Sequence, residues 1–532
     1  MTTNESLNRL VMRIALRAEM LSEEMAETAF VELDQVTDGL RRIDHQIVYG
    51  RRGAGKTHAF RNLSMTVGRE GDLPVYIDLR TIGSSGGLYG DTSQSLAVRG
   101  TQLLIDVLEA CHVKLLDRAI DGDSFEGLLE HLDDVANAAS QVRVEGPVTV
   151  TSEFSEDTEE NHDSGLSGRA KAGATGVWAE LDGRRGRRSA LRDSKKHAFH
   201  RSGHEVPRVL FGTLSRTISN AAAAIAPRRI WILLDEWSSL PLDLQPLLAD
   251  MLRRALFTCP GITVKIGAIE RRSSFTIAGS NKANYIGIEL GADTAAALNL
   301  DAYLVGGRQE QSQFFTELLY RHLVAFYGHL NHAFVIRDSA DLSQKMFGPG
   351  ALAEYVRAAE GVPRDALQIA YHAAQRAARN PITVEHVQMA ARRHYLQDKE
   401  TGIAGKAEAT KVWAKLQRDV VSRRRSRTFL IKRDRERTHS GILDLYDARL
   451  IHLLEPGLVT RGDPGVLYDG YCLDYGSYVN MLHKAELSAA WDSSMRLWEY
   501  RRGEAFLPDV FGESAVFSPT DLAQSTGGRG RR

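Results

Sequence analysis

Eight residues, Gly50-Arg-Arg-Gly-Ala-Gly-Lys-Thr57, match the pattern GxxxxGK[ST] at every fixed position. Glycines at such spacing let backbone N–H groups close around phosphate oxygens. Lys56 has the charge to bridge β- and γ-phosphates, and the Thr57 hydroxyl is a ligand for Mg²⁺. Gly50, Gly53, Ala54, Gly55, Lys56 and Thr57, with His58 behind them, are therefore the candidate nucleotide contacts. A second half of such a site needs a carboxylate at the end of a buried strand, and Ile230-Trp-Ile-Leu-Leu-Asp235-Glu236 supplies two. Asp235 would hold Mg²⁺ through its water shell, while Glu236 would orient or deprotonate an attacking water. Two further places carry arginines: Glu270-Arg271-Arg272-Ser273-Ser274 ends an apolar run, and Gly361-Val-Pro-Arg364 opens a helix. An arginine in a helix's first turn opposes the dipole, which hints at an anion nearby. Arg271 and Arg272 suit a neighbouring subunit's nucleotide or a solvated basic turn, and the residues alone leave both open.

The elements that must position these groups are legible around them. The apolar run Gln46–Tyr49, the glycine turn and a helical stretch from Lys56 read as strand, loop, helix, and a second strand is expected over Pro74–Leu79. Helices are expected near 93–118, 124–140, 207–226 and 241–257, with strands at Ile230–Leu234 and Ile262–Ile269 and a fourth at Tyr285–Leu290. This alternation predicts a parallel α/β sheet. Residues 1–40 read as helix without a breaker before Gly39, residues 309–400 as wholly helical, and residues 410–500 as helices mixed with short strands. Within the last, Ile442–Leu454 reads as one amphipathic helix, Leu467–Tyr471 as a strand and Asp474–Tyr478 as a turn.

At 532 residues the chain has room for two to four domains of ~150 residues. Apolar residues at 43% and charged residues at 25% argue against wholesale disorder, and a formal net charge of −1 gives no global case for a polyanionic partner. Cys111, Cys259 and Cys472 are too scattered for a metal knuckle or a disulfide scaffold, which suits a reducing cytoplasm. No apolar run approaches a membrane span, so no membrane role is expected.

Together these residues resemble the AAA+ P-loop ATPases, and within them the initiator branch that contains origin-recognition-complex ATPases and their bacterial relatives. Gly50–Thr57 looks like Walker A, Ile232–Glu236 like Walker B, the 270–274 turn like the sensor 1 region and Gly361–Leu367 like a sensor 2 helix. The resemblance implies an N-terminal helical segment (1–40), a nucleotide-binding core (41–308) and an α-helical lid (309–400). A winged-helix-like α+β domain (410–505) and a tail (506–532) would follow. It also implies ATP and Mg²⁺ as cofactors, a homo-oligomer, catalytic roles for Lys56, Glu236, Arg364, Arg271 and Arg272, and metal binding by Thr57 and Asp235.

Residues 141–204 form an insertion in this scheme, read as a β-hairpin or flap with an acidic tract at 153–163 and a basic tract at 184–201. That basic tract, and the stretch Arg423–Arg427 with Lys432 and Arg433, could meet the phosphates of double-stranded DNA. The expectation is an ATP-controlled, DNA-associated oligomeric switch. A STAND-type signalling ATPase that gates assembly with a protein effector and never touches DNA is the alternative.

Overall fold

The computed structural model describes residues 3–83, 93–121, 125–139, 142–145, 204–207, 209–278, 285–294, 297–301, 308–327, 336–424, 426–433, 439–459, 465–483 and 515–519. In chain order its strands are β1 (Gln46–Tyr49), β2 (Leu73–Asp78), β3 (Val142–Glu145), β4 (His204–Pro207), β5 (Ile230–Asp235), β6 (Ile262–Ala268), β7 (Thr276–Ala278), β8 (Tyr285–Gly287), β9 (Leu298–Asn299), β10 (Thr428–Lys432), β11 (Ile451–Val459) and β12 (Leu467–Leu473). The main sheet has five strands in the order β2-β5-β6-β1-β9. Within it β2 pairs with β5 and β1 with β9, both parallel. Every residue of β1, β5 and β6 is buried, as the unbroken apolar runs require of strands covered on both faces. The chain is therefore an α/β protein built on a parallel sheet. It clusters into two compact units, the first comprising Met1–Val67, Ile266–Ser273 and Ala296–Arg532, the second Gly68–Lys265 and Ser274–Ala295.

In the second unit β2 and β5 pair in register from Leu73↔Ile230 to Asp78↔Asp235. Helices Leu96–Asp121, Glu126–Ala139, Phe211–Ala224 and Gln245–Leu252 complete it. The expected fourth sheet strand does not join the main sheet. Tyr285–Gly287 pairs antiparallel with β7 as a short hairpin, and the edge place beside β1 belongs to β9. The hairpin leaves Ile277 and Ile286 exposed, whereas the main sheet's interior strands are buried on both faces. The Gln245–Leu252 helix also runs on through a π turn, Arg253–Phe257. Of the insertion, the described residues are β3 and β4, paired antiparallel from Val142↔Pro207 to Glu145↔His204. The partner of Val142 and Val144 is thus β4, and residues 146–203 with both charged tracts lie outside the described residues.

The first unit holds the phosphate-loop strand, a helical bundle and a C-terminal α+β module. The bundle's helices are Arg308–Tyr327, Ser339–Met346, Ala351–Ala359, Pro363–Ala377 and Val384–His394. Its core takes in Leu7, Val11 and Ile14 from the N-terminus beside Phe315, Tyr355 and Leu367. Burial of each such aliphatic side chain is worth about 1.5–3 kcal/mol, which explains where the N-terminal apolar stripe goes. That segment is not one helix. It breaks into Thr3–Val11, Glu23–Ala29 and Asp34–Leu40, and Ser22 caps the second by accepting from the Met25 N–H at 3.2 Å.

The C-terminal module packs helices Ala407–Leu416 and Ser440–Asp447 with an antiparallel sheet of order β10-β12-β11. The expected helix over 442–454 ends at Asp447, because Arg449 takes a left-handed φ of 57° and the apolar run from Ile451 becomes β11. Pro456 is tolerated there because β11 is an edge strand. The stretch expected as a turn after Asp474 starts the helix Tyr475–His483, with the Asp474 carboxylate accepting from the Ser477 N–H at 3.1 Å. Tyr446, Tyr471 and Tyr475 are buried core residues. No helix among the described residues is long and apolar enough to cross a membrane.

Candidate nucleotide-binding site

The phosphate loop follows β1 and leads into the helix Lys56–Arg69. Gly53 and Gly55 have φ of 83° and 99°, a region closed to most side chains. A Cβ on Gly53 would also meet the Cβ of Arg364 at 2.8 Å, so the loop needs glycine there for space as well as conformation. The buried Lys56 ammonium donates to the Gly50 carbonyl at 2.6 Å and the Arg51 carbonyl at 3.3 Å, folding the side chain back over its own loop.

Arg364 lies beside this loop. It lies one residue inside the helix Pro363–Ala377, and its backbone N–H donates to the Gly53 carbonyl at 3.3 Å. Its guanidinium makes no ion pair or hydrogen bond among the described residues, and burial lowers its pKa. His58 faces elsewhere: its Nε2 meets the Ala26 carbonyl, and its ring lies edge-on to Phe30 and His322. Burial holds its pKa below the usual imidazole range.

Arg51 is the loop residue whose role the sequence did not disclose. It is buried, donates to the Asp301 carboxylate through its backbone N–H (2.8 Å) and Nε (3.2 Å), and donates through Nη2 to the Glu360 carbonyl at 2.8 Å. Its Nη1 lies 2.6 Å from Nδ1 of His452 in β11. Arginine can only donate, so this ring nitrogen is the acceptor. Burial pushes the His452 pKa down to about 3, consistent with a neutral ring. Around it runs a buried ionic network. Lys399 reaches Asp474 at 2.5 Å and Asp365 at 2.7 Å, Asp365 also meets His394 at 3.2 Å and Arg449 at 3.0 Å, and Arg427 pairs with Glu360. Burial alone would raise the Asp365 pKa, but Arg449 and Lys399 beside it hold the carboxyl well below the usual range.

The two arginines after β6 face the C-terminal module of their own chain. Arg271 pairs with Asp469 at 2.6 Å over the ring of Tyr471, and Arg272 pairs with Asp447. Asp469 also takes Arg433 at 2.6 Å, Arg423 pairs with Asp419 at 3.1 Å, and Arg427 is buried. Much of the basic stretch read as a phosphate-binding face is thus engaged inside the chain.

The carboxylate half belongs to the second unit. Asp235, fully buried at the end of β5, accepts from the Tyr76 hydroxyl at 3.0 Å and the Glu236 N–H at 2.8 Å. Glu236 holds a left-handed φ of 60°, an uncommon conformation for a non-glycine residue. Arg80 lies 3.9 Å from its carboxylate and is clamped by Asp78 at 2.6 Å. Burial would raise the Asp78 pKa, yet the Arg80 hydrogen bonds keep it below the usual range. Tyr76, Asp78 and Arg80 were not singled out from sequence. Their signal was positional, since β2 must end at the same carboxyl edge as β5 in a parallel sheet.

No protein-family model matches the chain, and none of the curated proteins does. Among solved structures it is similar to Cdc6p from Pyrobaculum aerophilum, at 12% identity and a TM-score of 0.30 over 85% of this chain and 92% of that one. It is also similar to the Aeropyrum pernix Orc1 protein, solved in complex with DNA, at 13% identity and a TM-score of 0.29 over 92% of this chain and 98% of that one. Likeness at this level leaves the functional reading to the chain's own residues.

Proposed function

We propose that this protein is a Mg²⁺-dependent AAA+ ATPase that works as an ATP-controlled, DNA-associated oligomeric switch. The observation that carries the reading is the loop itself: two left-handed glycines after a buried strand, a lysine folded over the loop carbonyls, and Arg364 seated against Gly53. Such a loop binds phosphate through backbone N–H groups and a helix N-terminus, and Lys56 would exchange its carbonyl partners for phosphate oxygens. Thr57 and Asp235 are the proposed metal ligands, and their hard oxygen donors fit magnesium. Bound magnesium supplies charge neutralisation at the β- and γ-oxygens. Glu236 is the proposed base, and its constrained backbone and nearby Arg80 fix where its carboxylate can go. Arg364 would read the γ-phosphate from the lid.

The test is ATP turnover measured with and without double-stranded DNA at two salt concentrations. Stimulation that fades with salt supports the switch on DNA. Turnover indifferent to DNA, together with nucleotide-dependent assembly, would move the reading to the signalling alternative with a protein effector. Absence of turnover in a protein that also fails to bind ATP would sink both.

A further inference from the structure

We infer that Arg449, supplied by the C-terminal module, is a second arginine for the terminal phosphate of the nucleotide, acting beside Arg364; this rests on the nucleotide-binding reading above. Four observations converge on it. Arg449 bonds Asp365 through Nε, at 3.0 Å and 3.2 Å to the two carboxylate oxygens, and Asp365 is the direct neighbour of Arg364 in the helix whose first turn lies on Gly53. Both terminal nitrogens of the Arg449 guanidinium have no hydrogen-bond partner among the described residues, so the fork is held by one nitrogen and offers the other two.

The backbone at Arg449 is left-handed, at φ 57°, a conformation that costs an arginine energy and that surrounding structure must impose. Three residues on, His452 docks on Arg51 of the Gly50–Thr57 loop at 2.6 Å. Finally, Arg449 and Arg364 lie close enough for each to feel the other's charge. Arg51, Arg427 and Lys399 have carboxylate partners in Asp301, Glu360 and Asp474, and Arg449 shares Asp365 with Lys399 and His394. The Arg364 guanidinium has no such partner among the described residues. The Arg449 and Arg364 guanidinium groups repel each other, with Asp365 bonded to the first and Glu19 the leading opposing charge on the second, and a phosphate accepts arginine forks from two such groups together.

Equilibrium binding of mant-ATP and mant-ADP to the full chain, with Mg²⁺ and at fixed salt, tests the assignment in four proteins: wild type, Arg449→Lys, Arg449→Ala and Lys56→Ala. The lysine variant keeps a cation for Asp365 but loses the spare nitrogens. It should unfold near the wild-type temperature, bind ATP about tenfold more weakly and bind ADP within about twofold of wild type. Arg449→Ala should lose the same ATP preference and melt lower as well. Unchanged ATP binding in Arg449→Lys, or equal losses for ATP and ADP, overturns the inference. If Lys56→Ala abolishes binding while Arg449→Lys retains the ATP preference, this inference falls and the nucleotide site stands. If Lys56→Ala binds like wild type, or wild type binds neither nucleotide, both fall.

Discussion

At the scale of single residues, Lys56 and Glu236 separate binding from chemistry. On the proposed function, Lys56→Ala removes the ammonium that would face the β- and γ-phosphates, so ATP affinity should fall by more than about tenfold in a folded protein, as calorimetry can measure. Glu236→Gln keeps the shape and loses the proton acceptor; it should bind ATP normally while steady-state turnover drops by about a hundredfold or more. His452 carries a pH signature. Its unfolded ring takes up a proton near pH 6.5, while burial keeps the folded ring neutral down to about 3. The unfolded state therefore binds more protons between those values, and stability must fall as pH drops through that window, by at most about 1.4 kcal/mol per pH unit for this ring. His322 and His372, both pushed down to about 4 by burial, act in the same direction. His394, which burial would lower, is instead raised by Asp365, so its contribution is present at low pH and lost as pH rises. Thermal melts at pH 7 and pH 5 should show a decline, and His452→Asn, which still offers Arg51 an acceptor, should make it shallower.

At the scale of elements, the C-terminal module is fastened by charges buried in its seams. Asp474 caps the last helix and takes Lys399, so Asp474→Asn leaves an ammonium with half its counter-charge and should cost about 3–5 kcal/mol in denaturant unfolding. That cap also explains where sequence reading stopped. The strand, loop and helix around Gly50–Thr57 and the strand ending at Asp235 were legible because each is encoded within a few residues by glycine placement or an unbroken apolar run. Ile442–Leu454 was not, because helical periodicity continues across Arg449 and only its left-handed backbone and the pairing of β11 with β12 end the helix. The N-terminal stripe was legible as apolar and illegible as three pieces, since the break goes with packing into the helical bundle. Arg51 and His452 are 401 positions apart, and nothing local in either announces the other. The apolar run Tyr285–Leu290 outweighs the short β9 in sequence, yet which of the two joins a sheet depends on neighbours that no window of sequence contains.

At the scale of the whole molecule, the question is what one chain gives to another. An arginine finger acting in trans needs a free guanidinium at the boundary, whereas Arg271 and Arg272 pair with Asp469 and Asp447 of their own chain. Arg271→Ala/Arg272→Ala subunits should therefore hydrolyse ATP by themselves, with the same turnover per intact Glu236 when mixed with Glu236→Gln subunits; loss of turnover alone with recovery in the mixture would mean that these pairs open on assembly. The proposed DNA contact, with Arg427 and Arg433 engaged inside the chain, would rest chiefly on the tract at 184–201, and neutralising that tract should then weaken DNA binding alike for all sequences and flatten its salt dependence. The stem formed by β3 and β4 makes that experiment unusually clean. Because Glu145 lies opposite His204, the chain departs and returns at one rung of a two-strand ladder, whatever the length between. The segment from 146 to 203 is in that sense a cassette: an Asn-Gly turn joined across the rung would shorten the chain by more than fifty residues without asking any other strand to move. Sequences of other lengths and charges could be exchanged at the same rung without changing the pairing of β3 with β4.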